Sequence, residues 1–310
     1  MICYTFGMMQ DIRLRSLLAV IRTASFSAAA DLVHVTQPAV SQHIRSLEIE
    51  FGTVLLNRSG RHTTPTRTGE LLFSYAERIE AAYRSMSRDL ENATGATRTY
   101  DIGATLTIAE YLLPPLLGAY RKASPQVRVR MSVQNTEETI GRLLANHVVL
   151  ALVEGPFEPG RLSTVRFSSD ELVVACAPGH QICRQSETGG VPAEELLKAD
   201  LILREPGSGT RTVFERYLLQ QGIDPRELKP YMEIGSINAI KSLVMSELGV
   251  TVIASSAIAR ELAEGTLVTV PLADGPIARD LTFAWHESAD LDFVEQFIGF
   301  CTRQTWNPAT

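Results

Sequence analysis

The sequence predicts an all-α N-terminal part, made of a winged helix-turn-helix and a long helix, followed by an α/β body of two lobes. Three observations predict it. The run FSAAADLVHVTQPAVSQHIRSLEIEF, residues 26 to 51, reads as two short helices joined by a tight turn. From Thr68 to Thr94 there is no proline, and Gly69 is the only glycine, which marks one long helix. Beyond Gly95, apolar runs of strand length alternate with helical periods, the pattern of a sheet covered by helices.

Length and charge agree with that division. At 310 residues with 45% hydrophobic content, the chain suits two or three folding units with real cores. Residues 1–69 hold seven arginines against four acids, a net of +3, so the remainder carries −9 of the total −6. A basic head on an acidic body fits a nucleic-acid-binding module attached to a small-molecule sensor. No stretch is long and apolar enough to span a membrane, and MICYTFGMM lacks the basic start and cleavage pattern of a signal peptide. A cytoplasmic protein is expected, with Met8 or Met9 as its start. Cys3, Cys176, Cys183 and Cys301 form no CxxC pair and have no histidines at metal-ligand spacing. Reduced structural thiols are expected, with a Cys176–Cys183 redox pair as the minor alternative. No metal or other cofactor is expected.

The head begins with a helix over Ile12 to Ala24, where Leu14, Leu17, Leu18 and Ile21 recur at helical spacing. Ala28, Ala29, Ala30, Leu32 and Val33 make a small-residue helix that another helix can cross closely, and His34 and Val35 make the turn. Thr36 is placed to cap the next helix through its hydroxyl, and Pro38 sits in the first turn, where its missing N–H costs nothing. Val40, Ile44, Leu47 and Phe51 then form one apolar stripe facing a core. The opposite face carries Gln37, Ser41, Gln42, Arg45 and Ser46, while Glu48 and Glu50 wait until the far end. A polar, acid-free face over the first turns suits the major groove, where Arg, Gln and Ser read base edges and acids would repel phosphates. The alternative is an ordinary helical pair with a solvated face. The run LLNRSGRHTTPTRTGELL, residues 55 to 72, crowds Arg58, Arg61, His62 and Arg67 among Gly60, Pro65 and threonines, as a basic wing on the phosphate backbone would.

TQPAVSQHIRSLE, followed by LLNR, GR and the Thr66-to-Gly69 turn, resembles the N-terminal signature of LysR-type transcriptional regulators. The resemblance covers nearly the whole chain. It implies base or phosphate contact for Gln37, Pro38, Ser41, Gln42 and Arg58; position and charge add Arg45 and Arg61. Gln42 stands where many relatives carry Arg, and Leu56 where Phe is usual, so the DNA target cannot be copied from a relative. It further implies a homodimer or homotetramer on double-stranded promoter DNA, with a small-molecule effector.

In the long helix, Leu72, Ile79 and Met86 are spaced by seven and alternate with Tyr75, Ala82 and Asp89, a heptad seam within a helix. Between a DNA head and a separate body, such a helix is best explained as a dimerising linker, as the resemblance also implies; the alternative is a packing helix within one domain. The expected boundaries are 1–67 for the head, 68–96 for the linker and 97–310 for the effector-binding domain.

Within the body, strands are expected at Tyr100–Ala104, Val127–Val133 and Val148–Val153, with helices at Ile108–Arg121 and Glu137–Asn146, implying a parallel sheet. The second series has strands at Glu171–Ala177, Leu201–Leu203, Tyr231–Ile234 and Val250–Ile253, with helices at about Thr210–Gln221 and Ile237–Leu248. Leu281–Trp285 returns as a strand, and Phe293–Arg303 closes as a helix. Lobe I then spans about 97–165 and 275–310, and lobe II about 166–274. The arrangement resembles the periplasmic-binding-protein-like sensor of LysR-type regulators. Ligands in open α/β lobes bind at the carboxyl ends of strands, beside helix starts. Thr105 and Thr107 fall there in the first lobe; Ser208, Gly209 and Thr210 fall at a helix start in the second. Both strings resemble family sequences that line the interlobe effector site. Asn135 and Gly155 follow later strands as secondary candidates. Two facing helix starts predict an anionic effector, while simple capping explains Ser208 and Thr210 equally well. Arg204 and Arg211 flank the second start and either add charge there, point to solvent, or pair with nearby acids such as Glu205 or Glu215. No GxxxxGK, strand-borne GxGxxG, HExxH or GxSxG occurs and the six histidines are scattered, so an enzyme is not expected. The expected function is a LysR-type regulator with an effector in the interlobe cleft; the alternative is a DNA-binding protein whose body only oligomerises.

Overall fold

The computed structural model describes residues 11–57, 63–94, 97–186, 190–286 and 289–304. Its chain contacts form two compact units, 1–98 and 99–310.

In the first unit, α1 (Ile12–Thr23), α2 (Phe26–Val33) and α3 (Gln37–Phe51) close a small core of Leu17, Val20, Ala29, Val33, Val40, Ile44 and Leu47. The alanines of α2 let α1 and α3 approach it. His34 ends α2 in the left-handed region at φ 60, and Val35 N–H donates to the Ala30 carbonyl, which sets the turn into α3. Gly52, also left-handed at φ 64, stops α3. Phe51 does not join the apolar stripe expected of it: it is 52% exposed, because the chain turns away at the next residue and, among the described residues, no element covers the last turn. Two-residue strands β1 (Leu56–Asn57) and β2 (Thr64–Pro65) pair antiparallel as the base of the expected wing. Arg58, Arg61 and His62 lie outside the described residues.

Helix α4 (Arg67–Thr94) runs 28 residues without a break. Its first turns belong to the head: Ala76 is fully buried against Leu18, with Phe73 beside it, and Leu72 packs against the head core. Leu72 therefore departs from the expected seam, since one side chain cannot serve both contacts fully. Further along, Tyr75, Ile79, Met86 and Leu90 are exposed at 51, 49, 47 and 62%.

The second unit holds a seven-stranded mixed sheet with flanking helices, and a separate parallel pair of two-residue strands. Strand β3 (Arg98–Thr105) leads to a π-helical turn (Ile108–Leu112), α5 (Leu113–Ala123), β4 (Val127–Gln134), α6 (Thr136–Leu144) and β5 (Leu150–Glu154). The π turn replaces the first third of the helix expected from Ile108; Pro114 and Pro115, in the first turn of α5, lack the N–H groups that would carry regular helix bonding back across the junction. Strand β6 (Leu162–Cys176) begins nine residues before the expected Glu171. Its first half, LSTVRFSS, is largely exposed and polar, so it shows no buried-strand pattern in the sequence. Next come α7 (Gln181–Ser186), α8 (Ala193–Leu196), β7 (Ile202–Leu203), α9 (Gly209–Gln220), β8 (Met232–Glu233), α10 (Ile237–Met245), β9 (Thr251–Ala254), α11 (Ala259–Glu264) and β10 (Val268–Val270). Strand β11 (Ile277–His286) and α12 (Leu291–Arg303) end the described chain.

The sheet is not purely parallel as expected. β3 and β5 are parallel, but β6 and β11 are antiparallel along their length, and β9 and β10 are antiparallel to β6. The reason is topological: β6 carries the chain out of the first lobe and β11 brings it back, so the two crossings run in opposite directions. Leu281 to Trp285 pair with β5 in the first lobe, while Ile277 pairs with Leu172 in the second, and the register slips between Leu281 and Thr282. Separate apolar cores flank the crossing. Tyr100 stacks on Phe293 at 3.8 Å beside Phe283 and Phe297 in one, and Phe214, Leu218, Ile240, Val244 and Val252 fill the other.

Candidate functional site

On α3, Val40, Ile44 and Leu47 are buried at 0, 0 and 1% exposure, which turns the opposite face outward. Gln37, Pro38, Gln42 and Arg45 are exposed, and Ser41 and Ser46 are half-buried. Gln37 Nε2 donates to Ser41 Oγ at 3.1 Å, so these two side chains are held in one arrangement. Arg45 has no carboxylate partner among the described residues. The acids of α3 are engaged elsewhere: Glu48 accepts from Leu55 N–H at 3.0 Å, and Glu50 pairs with Arg13 at 2.6 Å. Thr36 occupies the N-cap position with extended backbone, as expected, but its hydroxyl makes no capping bond; Ser25 on α2 does cap, accepting from Ala28 N–H at 3.3 Å.

In the body, Thr105, Thr107 and Thr210 come together, around a residue the sequence did not single out. Glu154, the last residue of β5, is 1% exposed and accepts from Thr105 Oγ1 at 2.7 Å, Thr107 Oγ1 at 3.1 Å and Thr210 Oγ1 at 3.4 Å. Arg279 on β11 lies 3.2 Å from the same carboxylate, donates to Thr210 Oγ1 at 3.0 Å, and pairs with Asp170 of β6 at 2.9 Å. Asp170 also accepts from Ser255 and Ser256 hydroxyls at 3.1 and 2.9 Å. Two carboxylates and one guanidinium are thus buried together with a formal net charge of −1. Hydroxyls from the end of β3 and the start of α9 add to their bonding, so the cluster links both lobes, while Arg279 Nε is buried with no hydrogen-bond partner among the described residues.

The backbone closes over the cluster. Gly155, at φ +76, lies so near Gly209 that a Cβ on it would meet the Gly209 carbonyl oxygen at 2.9 Å. A Cβ on Gly209 would run into the Glu154 carbonyl oxygen and the Thr136 hydroxyl. Glu137 N–H donates to the Gly207 carbonyl at 3.2 Å, joining the start of α6 to the turn before α9. Asn135 caps α6, accepting from Glu138 N–H at 2.9 Å. Ser208 stands at the N-cap position of α9, but its hydroxyl caps nothing and is buried with no hydrogen-bond partner among the described residues. Arg204 and Arg211 do not reach this cluster: Arg204 forks onto Glu205 at 2.8 and 2.9 Å, and Arg211 pairs with Glu215 and with Glu233. The sequence signals for Glu154 and Arg279 were faint, an acid closing the apolar run LALVE and a base between Ala278 and Asp280.

Known proteins extend these observations. Residues 12–70 match the family described as bacterial regulatory helix-turn-helix protein, lysR family, and residues 93–306 match the LysR substrate binding domain. A probable RuBisCO transcriptional regulator of Trichormus variabilis is 36% identical over 276 residues, covering 87% of this chain and 80% of that protein. The HTH-type transcriptional regulator CysL of Bacillus subtilis is 29% identical, covering 87% of this chain and 89% of its own length. A full-length CbnR in complex with its target DNA has TM-score 0.60 at 20% identity, with 95% of this chain and 99% of that one covered, a likeness of fold. The matched segments include both the outward-facing α3 and the body that buries Glu154 between its lobes, and with them the chain belongs to the LysR family of transcriptional regulators.

Proposed function

We propose that this regulator reads promoter DNA with the polar face of α3 and that a small anionic effector, seated between the lobes, shifts the populations that bind DNA. Gln37, Pro38, Ser41, Gln42 and Arg45 would face the groove, and Arg58 and Arg61 the phosphates. The exposed apolar side chains of α4 would pair in a homodimer, itself able to form a tetramer. Among the described residues no helix is long and apolar enough to cross a membrane, and a promoter-binding protein works in the cytoplasm. The effector residues are Thr105, Thr107, Asn135, Gly155, Ser208, Gly209 and Thr210, with Glu154 and Arg279 added from the geometry.

One observation carries the anion: three hydroxyls and a guanidinium already converge on a carboxylate, that of Glu154. A donor set built around a carboxylate suits an external one. Such a ligand has to displace Glu154, so Glu154 acts as a tethered competitor. The same observation favours a second reading, in which the site is permanently filled from within and the body only oligomerises.

Thermal melting with carboxylates, phosphate esters and inorganic oxyanions separates the two. A ligand at a hundred times its dissociation constant stabilises the folded chain by about 2.7 kcal/mol. Glu154→Gln removes the competing charge and takes the cluster from −1 to neutral, so a true anionic effector binds it more tightly than wild type. Thr105→Val and Ser208→Ala weaken it. A response only to cations sinks the anion, and no ligand that changes either the melting or the DNA footprint leaves the second reading standing.

A further inference from the structure

Outside the interlobe cluster, the second unit brings two thiols together. Cys176 is the last residue of β6, and Cys183 lies in α7. Their Sγ atoms are 3.0 Å apart. Two successive turns produce this approach: His180 N–H donates to the Ala177 carbonyl at 3.0 Å, and Cys183 N–H donates to the His180 carbonyl at 3.0 Å. The chain thereby folds back so that α7 lies over the end of β6. A disulfide needs the sulfurs at roughly 2.05 Å, and from 3.0 Å that is a closing movement of about 1 Å. Cys176 is fully buried and Cys183 is half-buried. The remaining described cysteine, Cys301, is buried in the other lobe's core.

We propose that Cys176 and Cys183 form a reversible thiol-oxidation site, closed by a peroxide into an intramolecular disulfide. Exposure sets the order of events, since the half-buried Cys183 is the sulfur an oxidant can reach. Its thiolate attacks one peroxide oxygen: the S–O bond forms, the O–O bond breaks, and the leaving hydroxide takes a proton to become water. Cys183 is now a sulfenic acid, oxidised by two electrons. Cys176 then attacks the Cys183 sulfur; the S–S bond forms, the S–O bond breaks, and the departing hydroxide takes the Cys176 proton as a second water. In sum, two thiols and one peroxide give one disulfide and two waters. Burial pushes the Cys176 thiol far above the ordinary range, so it is not the first to react and serves as the resolving partner. Burial likewise pushes the Cys301 thiol up, to about 12, which keeps it reduced as an internal reference.

The test treats the full-length chain with hydrogen peroxide, blocks remaining thiols after denaturation, and maps them by peptide mass spectrometry. The expected result is loss of both thiols together, a Cys176–Cys183 linkage that dithiothreitol reverses, and slower amide exchange through the turn between them. Cys176→Ser is expected to leave a sulfenic acid on Cys183 that dimedone traps, with no linkage. The proposal is overturned if peroxide leaves both thiols alkylatable, or if Cys183 runs on to sulfinic acid in wild type while Cys176 stays reduced. Because wild type reduced with dithiothreitol is the reference, a misfolded variant cannot decide the outcome.

Discussion

The two regions assigned to recognition use polar side chains in opposite ways. The face of α3 holds its glutamines and Arg45 in solvent, and its bonds within the chain are few, such as Gln37 to Ser41. The interlobe cluster buries Glu154, Asp170 and Arg279 almost completely and bonds them to one another and to hydroxyls from both lobes, leaving Arg279 Nε without a partner among the described residues. A partner of α3 meets donors that are ready and only have to shed water. A partner of the cluster meets donors that are mostly already in use, inside a medium where an unmet polar group is expensive. The first arrangement favours rapid, salt-sensitive docking; the second favours a switch, since a ligand acts there only by exchanging one set of bonds for another.

The largest expected effect comes from breaking the buried cluster. Arg279→Ala leaves the Glu154 and Asp170 carboxylates facing each other without their cation, a loss of roughly 3 to 5 kcal/mol for a buried pair. Urea unfolding of the second unit reads this directly. A change under about 1 kcal/mol would mean that water reaches the cluster and that the contrast with α3 is false.

The next effect concerns α4, whose apolar residues Tyr75, Ile79, Met86 and Leu90 are exposed, as the polar residues of α3 are. Ile79→Asp with Met86→Asp places two charges in the proposed dimer contact while leaving the head core, which uses Leu72 and Ala76, untouched. An unpaired charge in an apolar contact costs several kcal/mol, so dimers should weaken by about 100-fold or more in sedimentation. An unchanged profile would return α4 to a solvated helix. On α3 itself, Gln37→Ala, Ser41→Ala or Gln42→Ala should each cost roughly 1 to 3 kcal/mol at the operator with little change on random DNA. Arg58→Ala, in the segment the sequence assigns to a wing, should weaken all DNA alike and flatten the salt dependence. Equal losses on operator and random DNA from the α3 variants would remove their reading role.

The same contrast explains what the sequence made legible. The head is a local structure: helical period, Pro38, Gly52 and the sign change along α3 are all visible within a few turns, and its one misjudged core residue, Phe51, lies where the stripe outlasts the helix's cover. In the body, strands buried on both faces, such as β5, announced themselves. The polar half of β6 did not, and without it nothing in the sequence shows an antiparallel crossing. The threonines at strand ends and helix starts were readable as a group. Their common partner was not, because Glu154, Asp170 and Arg279 meet only after the chain has crossed between lobes twice, and no short-range pattern encodes that.

The smallest expected effect separates two hydroxyls that the sequence presents as equivalent. Ser25 and Thr36 both precede helices, yet only Ser25 satisfies a backbone N–H. Ser25→Ala should therefore lower stability by about 1 kcal/mol, the ordinary value of a cap, while Thr36→Ala should stay within about 0.5 kcal/mol of wild type. The exposed Thr36 hydroxyl stands beside the uncapped N–H groups that begin α3, a place suited to a phosphate oxygen. If it is kept unbonded for DNA, Thr36→Ala costs operator and random DNA alike about 1 kcal/mol, since phosphate contacts carry no sequence. Melting and filter binding on the same two variants decide it. A Thr36→Ala protein that melts as low as Ser25→Ala and binds DNA normally would show that the hydroxyl caps α3 in solution, and that the open character of this face begins only at Gln37.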